Sequence, residues 1–412
     1  SPMINDTNNL PISVRHRAIQ VLVDIFEYQK KYDMAIEKRA IGLDTRDKAF
    51  LHELVLGVLR RFFSLEADFS RFLKQKPDTE ARMCLFIGTY QLRHMRIPSH
   101  AAVSECVDAI KYFQPKAAGM VNAVLRKITQ HDVPKKLKPH QRAELPQWMY
   151  ALWRDAWGAE ITQDFCKYLQ HQADLSLAVF GHRETWMQKS QQQGLSPEIG
   201  ELSPYAVLLP TGTCVPSLPE FDDGAFQVMD QAAQDAVMAL DVPQEGLILD
   251  ICSAPGGKAA LLAHRFPTSH IMAVELNAKR LPRLQANLKR LQINHVTILQ
   301  ANACHLPIPN ESVDAIMLDA PCSASGILRR HPDAKFLHHQ QHIATLAQHQ
   351  KSMLQEAFRV LKVGGTLMYA VCSIHPQENE QVIEGFNIVE QKRLYPSLHH
   401  DGFFRAKIVK SS

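Results

Sequence analysis

Two of the eight cysteines, Cys322 and Cys372, follow apolar runs typical of buried strands, so both thiols are expected at strand ends. A thiolate is a strong nucleophile, which makes such cysteines candidates for covalent catalysis. C5 of cytosine is too weak a nucleophile to attack a methyl sulfonium, but a thiolate that adds to C6 makes C5 nucleophilic. A second thiol could then assist breakdown of the adduct. The residues alone leave open which thiol adds and which one assists.

An aspartate lies close in sequence to the first of these thiols. Asp319 begins the segment Asp-Ala-Pro-Cys-Ser, which contains Cys322. A carboxyl group can pair with the amidine edge of a nucleobase, and protonation or hydrogen bonding at N3 assists addition at C6. A buried cysteine is more often inert packing. We expect that simpler role for Cys84, Cys106, Cys166, Cys214 and Cys304.

A glycine turn follows another apolar run, Leu247–Ile251, and precedes a helical segment. Its glycines let the backbone approach a ligand, and the helix N-terminus offers N–H groups to a carboxylate or phosphate. It is not a phosphate-binding loop, because Ala259 stands where Ser or Thr must follow Lys258. Glu275 ends the next strand, where a carboxylate can bind a ribose diol, and Asn302 ends the third, where an amide can read an adenine edge. Together they predict a ribose-bearing ligand of adenosyl or NAD type.

A parallel sheet is needed to bring these residues to one edge. After about residue 244, short apolar runs alternate with helical patterns, as in a parallel sheet covered by helices on both faces. The closing run, Phe403–Val409, is predicted to be an antiparallel edge strand. The other predicted strands are Leu247–Ile251, His270–Val274, Val296–Leu299, 315–318 and 366–370, and the predicted helices are 258–265, 278–291 and 342–361.

The earlier part of the chain has a different pattern. Residues 14–128 repeat apolar positions at helical spacing without strand-like alternation, which predicts an all-α domain. Residues 126–142 are rich in Lys, Arg and Pro, and fit a solvated linker or a phosphate-contacting stretch equally well. Residues 147–240 combine a tryptophan-bearing helix with short strand candidates, which predicts a small α+β subdomain.

Bulk properties narrow the class of protein. The 412 residues are 46% hydrophobic and 21% charged, which indicates an ordinary globular chain with more than one domain. A net charge of +4 permits a polyanionic partner without requiring one. The cysteines include no Cys-x-x-Cys pair and no zinc-site spacing, so we expect free thiols, a reducing cytoplasm and no metal. With no signal peptide and no membrane-spanning run recognised, we expect a cytoplasmic monomer.

Several segments together resemble the RNA cytosine-5 methyltransferases of the Sun/NOL1/NOP2 type. The motifs are residues 250–258, 319–326 and 369–373, and residues 329–333 fit the family's Arg-Arg-x-Pro-Asp segment. The match covers roughly residues 145–410, and the motifs together are highly specific. The helical N-terminal region resembles the NusB-type antitermination domain, and this pairing is similar to bacterial methyltransferases of small-subunit ribosomal RNA.

The resemblance implies formation of 5-methylcytosine in small-subunit (16S) ribosomal RNA through a covalent Cys–C6 adduct. Cys372 then takes the nucleophile role and Cys322 the release role, and Asp319 is the catalytic acid expected from the chemistry above. The implied cofactor is S-adenosylmethionine. Its expected contacts are Cys252, Ser253, Ala254, Pro255, Gly256, Gly257, Lys258, Glu275, Arg280, Asn302 and Asp319.

The resemblance also implies a multidomain fold. We expect an all-α NusB-like RNA-binding domain at 4–140 and a linker helix with a small α+β RNA-binding subdomain at 141–232. A Rossmann-like α/β methyltransferase domain with a mostly parallel sheet is expected at 233–412. The cations that follow the Cys322 motif closely are expected to contact the RNA backbone. They are Arg329, Arg330 and Lys335.

Four positions depart from the family pattern. Asn302 stands where Asp is usual, Val371 where Thr is commoner, and Phe336 where Trp is usual. Residues 177–181 lack an Arg and an Asn that the family carries in the RNA-side subdomain. Two alternatives therefore remain open. One is a cytosine-5 methyltransferase that acts on tRNA, another RNA or DNA, and the other is an RNA-binding assembly factor with impaired catalysis.

Overall fold

The computed structural model describes residues 13–411, which divide into two units. The first unit contains residues 13–171 together with residues 331–339, and the second contains residues 172–330 and 340–411. The three-domain division of the sequence stays a prediction, and both of its internal boundaries, near residues 140 and 232, lie within a unit. Residues 4–12 and 412 of the predicted domains lie outside the described residues.

Regular structure in the described part of the first unit is helical, which confirms the predicted all-α domain. Asp44 shows how one of these helices begins, because its side chain accepts the backbone N–H of Asp47 at 2.8 Å and caps the helix that follows. The helices are α1 (Val14–Phe26), α2 (Tyr32–Arg39), α3 (Thr45–Arg60), α4 (Phe62–Ser70), α5 (Thr79–His94), α6 (Ser99–Phe113), α7 (Ala118–Gln130), α8 (Pro139–Arg142), α9 (Gln147–Trp157) and α10 (Ala159–Leu169).

Helix α1 is buried along nearly its whole length, against α2, α3, α5 and α6. Its buried Asp24 accepts hydrogen bonds from the guanidinium of Arg39 at 2.9 and 3.1 Å, the kind of partner that a buried charge requires. Two glycines allow neighbouring helices to pack closely. A Cβ at Gly57 would overlap a neighbouring ring, and one at Gly88 would lie 2.7 Å from the side chain of Leu125.

The second unit combines strands and helices. Its strands are β1 (Leu175–Val179), β2 (Glu198–Ile199), β3 (Ala206–Leu209), β4 (Phe226–Val228), β5 (Leu247–Ile251), β6 (His270–Val274), β7 (Val296–Leu299), β8 (Val313–Asp319), β9 (Leu361–Val371), β10 (Ile388–Leu394) and β11 (Phe403–Val409). Its helices are α11 (Arg183–Gln192), α12 (Gln231–Met238), α13 (Gly257–Arg265), α14 (Leu281–Arg290) and α16 (Gln340–Val360), and α15 (Ala334–Leu337) lies in the segment that belongs to the first unit.

These strands form two sheets. The small one is antiparallel, with the order β2-β3-β1-β4, and the large one has the order β10-β11-β9-β8-β5-β6-β7. The five strands from β9 to β7 run parallel, while β10 and β11 are antiparallel. This is the predicted Rossmann-like arrangement, in which parallel strands with apolar residues on both sides are covered by helices.

The prediction that Phe403–Val409 forms an edge strand is wrong. This strand, β11, lies between β9 and β10, and β10 forms the edge. The strand β10 could not be predicted from the sequence, because its central residues are Glu, Gln, Lys and Arg and lack the apolar pattern of a buried strand. One of them, Glu390, accepts a hydrogen bond from the guanidinium of Arg405 in β11 at 2.7 Å, so an ion pair helps to join these two strands.

None of the helices in the described residues is both long and apolar enough to span a membrane.

Candidate active site

The carboxyl ends of β5, β8 and β9 meet at one edge of the large sheet. β8 pairs in parallel with both neighbours, so that Ile251 lies opposite Leu318, and Asp319 lies opposite Ala370. The segments that follow these strands are therefore neighbours in space. The structure confirms that the glycine turn and both cysteine segments share this edge.

The two predicted thiols face each other across this edge. Cys322 Sγ lies 3.5 Å from Cys372 Sγ, a separation at which one thiol donates a hydrogen bond to the other sulfur. Cys322 Sγ also accepts the backbone N–H of Ala324 at 3.4 Å. The hydrogen bond to Cys372, together with burial, raises the pKa of Cys322 well above its usual range. Cys322 therefore keeps its proton and can donate it to the Cys372 sulfur.

A partly buried ion pair lies next to the thiols. The ammonium of Lys258 donates a hydrogen bond to Asp319 Oδ2 at 2.6 Å. Burial alone would lower the pKa of Lys258, but the charge and hydrogen bond of Asp319 outweigh it and raise this pKa. The ammonium also lies 6.0 Å from the ring centroid of Phe403. The pair thus keeps Lys258 protonated beside the Asp319 carboxylate.

The glycine turn has a backbone that few other sequences could adopt. Gly256 has a φ of +102°, and a Cβ there would lie 2.6 Å from Leu284 of α14, so both conformation and space require glycine. Cys252 also has a positive φ, of +64°. Asp250 is fully buried and accepts the hydroxyl of Ser253 at 2.7 Å, and burial raises the pKa of Asp250 to about 7.

Three predicted cofactor residues lie beyond this turn. Glu275 follows β6, and its carboxylate accepts the backbone N–H groups of Ala254 and Asn277, each at 3.1 Å. It therefore fastens the glycine turn to the neighbouring strand end. Asn302 follows β7, and its side-chain oxygen accepts a backbone N–H two residues further on at 2.9 Å. Arg280 is exposed at the end of a short 3-10 turn.

A cavity of about 160 Å³ opens between the glycine turn and the ion pair. Lys258 and Asp319 line it, together with residues of the turn and with Val228 and Met229. Asp250 also lines it, and within the described residues its buried Oδ1 has no hydrogen-bond partner. A polar cavity with an unsatisfied buried oxygen suits a ligand that carries hydrogen-bond donors, such as the amino group of a methionine moiety.

Comparisons with known proteins agree over nearly the whole chain. Residues 237–392 match the family described as 16S rRNA methyltransferase RsmB/F, and residues 12–130 match the NusB family. A ribosomal RNA small subunit methyltransferase B of Klebsiella pneumoniae is 34% identical, with 97% of this chain and 98% of that protein covered. Its counterpart in Proteus mirabilis is 32% identical, with coverages of 97% and 99%. The chain belongs to the ribosomal RNA small subunit methyltransferase B family.

Solved structures share the fold of this family member. The crystal structure of PH0851 covers 97% of this chain and 100% of its own with a TM-score of 0.78, at 22% sequence identity. NSun6 from Pyrococcus horikoshii, solved with SFG, covers 65% of this chain and 98% of its own with a TM-score of 0.59, at 19% identity. Membership of the methyltransferase B family confirms the predicted fold class and S-adenosylmethionine as the cofactor.

The two arginines expected to contact RNA are held inside this methyltransferase B family member. Arg329 is 2% exposed, and its guanidinium donates to Asp401 at 2.9 Å. Arg330 is partly buried and donates to Asp401 at 2.7 Å and to Asp230 at 3.1 Å. These ion pairs join the segment after Cys322 to distant parts of the second unit. Arg329 therefore lies in the protein interior, which contradicts the RNA contact predicted from the sequence.

Lys335 occupies the interior of the first unit. It is 4% exposed, and its ammonium donates to the carbonyl oxygen of Glu144 at 2.9 Å. The adjacent Phe336 packs against Phe26 and Phe62, with ring centroids 4.9 and 4.8 Å apart. An aromatic side chain is therefore suited to this position. The expected RNA contact of Lys335 conflicts with this burial.

Sequence reasoning overlooks Glu378, which lies among the two cysteine segments. Its carboxylate is fully buried and accepts hydrogen bonds from Ser323, Ser373 and the side chain of Gln350. The available signal is an acidic residue six positions after Cys372, in a segment where buried residues surround it. Spacing alone does not reveal its partners, because they come from three separate segments.

Proposed function

We propose that this protein methylates C5 of a cytosine in small-subunit (16S) ribosomal RNA through a covalent adduct between Cys372 and C6. The observation that carries the proposal is the pair of thiols, Cys322 and Cys372, whose sulfurs lie 3.5 Å apart beside the Lys258–Asp319 ion pair. A methyl acceptor with its own lone pair, such as an amine or a hydroxyl, needs no thiol. A pyrimidine carbon does need one, because it becomes nucleophilic only after a thiolate has added to the ring.

The hydrogen bond between the thiols supports Cys372 as the nucleophile. Either sulfur can donate this bond, and a bond donated by Cys322, whose pKa is raised by the bond and by burial, would stabilise a Cys372 thiolate. Lys258 contributes in the same direction, because its pKa, lowered by burial, is raised by Asp319, by Asp250 and by Cys372. A cation in this position favours a negative charge on the Cys372 sulfur.

The proposed steps conserve protons and electron pairs. The Cys372 thiolate forms a bond to C6, the electrons of the C5–C6 double bond shift towards N3, and N3 takes a proton from the Lys258–Asp319 pair. C5 then takes up a methyl group, which S-adenosylmethionine supplies as a sulfonium when bound. Loss of the C5 proton restores the double bond, expels the Cys372 thiolate and returns the N3 proton. The C5 proton leaves to solvent, and the Cys322 thiol assists release by donating a hydrogen bond to the departing Cys372 sulfur.

The cofactor is proposed to bind across the strand ends that carry the glycine turn. Residues 252–258 and Asp319 would surround its methionine part, and Glu275, Asn302 and Arg280 its adenosine part. Glu275 accepts one backbone N–H on each carboxylate oxygen, and each oxygen retains a lone pair for a ribose hydroxyl. The unpartnered Oδ1 of Asp250 points to a donor on the methionine side.

The RNA is proposed to be held by a groove in the first unit. This cavity, of about 1040 Å³, belongs to the first unit, whereas both thiols belong to the second. Its rim carries the exposed side chains of Lys74, Lys76, Lys116 and Lys127, and only Asp78 opposes them within the lining. Four ammonium groups around one groove suit a phosphodiester backbone.

Single substitutions at the two thiols test the proposed reaction. Cys372→Ala should abolish both methylation of small-subunit rRNA and the covalent enzyme–RNA complex. Cys322→Ala should accumulate that complex on a denaturing gel, because addition proceeds while release stalls. Cys214→Ala, which changes an exposed thiol outside this cluster, should behave as the wild type. Accumulation of the complex in Cys372→Ala instead would reverse the two roles, and labelling of tRNA or duplex DNA alone would reject the rRNA substrate.

A further inference from the structure

The buried carboxylate of Glu378 joins the two cysteine segments. Its Oε2 accepts the backbone N–H of Ser323 at 2.9 Å, and its Oε1 accepts the hydroxyl of Ser373 at 2.7 Å. Ser323 follows Cys322 in sequence and Ser373 follows Cys372. Each thiol therefore lies one residue away from a group that Glu378 holds. The two segments come from different strands, β8 and β9, and the carboxylate links them just beyond the point where the sheet ends.

Neighbouring side chains hold Glu378 in a fixed orientation. The side chain of Gln350, in α16, donates to Glu378 Oε2 and to the carbonyl oxygen of Pro321, both at 2.8 Å. The hydroxyl of Tyr369 donates to the backbone carbonyl oxygen of Glu378 at 2.6 Å. Glu378, Gln350 and Tyr369 are all fully buried. A satisfied buried network of this kind is rigid, whereas removal of its central acceptor leaves several donors unpaired.

We propose that Glu378 is a positioning residue, which fixes Ser323 and Ser373 and so holds the sulfurs of Cys322 and Cys372 at the separation that adduct formation and release require. The inference rests on the proposed function, because that function assigns a chemical role to each thiol. The sulfurs lie 3.5 Å apart, and a displacement of about 1 Å at a reacting group can cost about 100-fold in rate. The ordinary alternative is that Glu378 only stabilises the fold.

Three substitutions separate these alternatives. Glu378→Ala removes the link altogether. Glu378→Gln keeps its shape, because the amide oxygen can accept from Ser323 N–H and Gln350 while its NH2 group faces the serine hydroxyls, which can turn and accept. Ser373→Ala keeps the carboxylate and breaks only its bond to the Cys372 segment. This last change also keeps the proposal testable if Glu378→Ala does not fold.

The readout is the single-turnover rate of covalent complex formation on small-subunit rRNA transcribed with 5-fluorocytidine, in the presence of S-adenosylmethionine. Fluorine at C5 cannot leave as a cation, so the adduct persists and can be counted on a denaturing gel. We expect Glu378→Ala to slow complex formation about 100-fold and Ser373→Ala about tenfold, while Glu378→Gln recovers most of the wild-type rate. Affinity for S-adenosylmethionine, measured by calorimetry, should stay within about twofold, because the glycine turn is untouched.

Glu144→Ala is the matched control. Glu144 is likewise buried, and its carboxylate accepts the backbone N–H groups of Phe63 and Ser64 at 2.9 and 3.1 Å, but it belongs to the first unit. It should lower the melting temperature without slowing complex formation. Wild-type rates in folded Glu378→Ala or Ser373→Ala, or equal slowing in Glu144→Ala, would overturn the inference alone. Failure of the wild type to form any complex would refute the proposed function and the inference with it.

Discussion

Both units bury a lysine close to a carboxylate, but the two pairs have different surroundings. In the first unit, Lys335 and Glu144 lie within the helical core, where Lys335 donates to the backbone carbonyl oxygen of Glu144 and backbone N–H groups satisfy the Glu144 carboxyl group. In the second unit, Lys258 and Asp319 line a cavity beside the thiols. An enclosed pair can contribute only to stability, whereas a pair that lines a cavity can exchange a proton with a ligand. Position in the fold, rather than residue type, therefore separates a structural pair from a chemical one.

The largest predicted effect concerns the pair that lines the cavity. Asp319→Asn keeps the shape of the side chain but removes the carboxylate that pairs with Lys258 at 2.6 Å. We expect methyl transfer from labelled S-adenosylmethionine to small-subunit rRNA to fall by about 100-fold or more, because N3 of the base loses its proton source. The melting temperature of the variant should stay close to that of the wild type.

Asp314 offers a matched control at the other end of the same strand. It accepts the ammonium of Lys362 at 3.1 Å and the backbone N–H of Leu247 at 2.8 Å, but it does not line the cavity. Asp314→Asn should leave the methylation rate nearly unchanged. If both variants keep full activity, the ion pair at the cavity has no part in the reaction.

A substitution at Lys335, in the first unit, should instead affect stability and leave activity unchanged. Lys335→Ala removes the ammonium that donates to the buried backbone carbonyl oxygen of Glu144, which should lower the free energy of unfolding by about 2 kcal/mol. The methylation rate of the folded protein should not change. Urea unfolding and single-turnover kinetics on the same preparation test this prediction, with Lys335→Met as the control for lost packing. A variant that kept its stability and lost RNA affinity would restore the RNA contact expected from the sequence.

The elements that position the site could be predicted because their sequences carry local signals. The strands β5, β8 and β9 are apolar runs that are followed by the glycine turn or by a cysteine segment, and parallel strands bring such ends together. The edge strand β10 has no such signal, because charged side chains in Glu390 and its neighbours stabilise it by pairing with β11. Its presence depends on a partner that the local sequence does not specify.

The residues of the candidate site could likewise be predicted only in part from the sequence. Motif spacing identifies Cys322, Cys372 and the glycine turn, since each is defined by residues next to it in sequence. Glu378 and Arg329 were not interpreted correctly, because their partners lie far along the chain. A charged residue near a catalytic segment suggests an exposed contact. Only the fold shows that Arg329 pairs with Asp401, and Glu378 with Gln350, inside the protein.

The lysine groove gives a smaller, electrostatic prediction. Substitution of its four lysines, Lys74, Lys76, Lys116 and Lys127, by Gln should weaken binding of small-subunit rRNA about tenfold at physiological salt, and should reduce the dependence of affinity on salt. Fluorescence anisotropy over a salt series measures both. The control carries four Gln substitutions elsewhere in the same unit, at Lys30, Lys31, Lys38 and Lys48. Equal weakening in the control would show that net charge, and not this groove, governs the affinity.

The smallest predicted effect uses pH to compare two carboxylates of the second unit. Burial raises the pKa of Asp250 to about 7 from its usual 3.8. Between these values the folded protein binds a proton that the unfolded chain does not, so the contribution of Asp250 to stability is lost as the pH rises towards 7. Asp250→Asn should reduce the difference in unfolding free energy between about pH 5 and about pH 8 by at least about 1 kcal/mol.

The stability that Asp314 contributes should depend on pH in the opposite direction. Burial alone would raise its pKa, but the backbone N–H of Leu247 and the ammonium of Lys362 outweigh burial and lower it. The stability that Asp314 contributes is therefore present above its unfolded-state pKa and is lost as the pH falls through the folded-state value. Asp314→Asn should leave the profile between pH 5 and pH 8 as it is in the wild type, since both states are ionised there. An unaltered profile in Asp250→Asn as well would mean that Asp250 is already ionised in the folded protein, and that the cavity offers a negative charge rather than a proton to the cofactor.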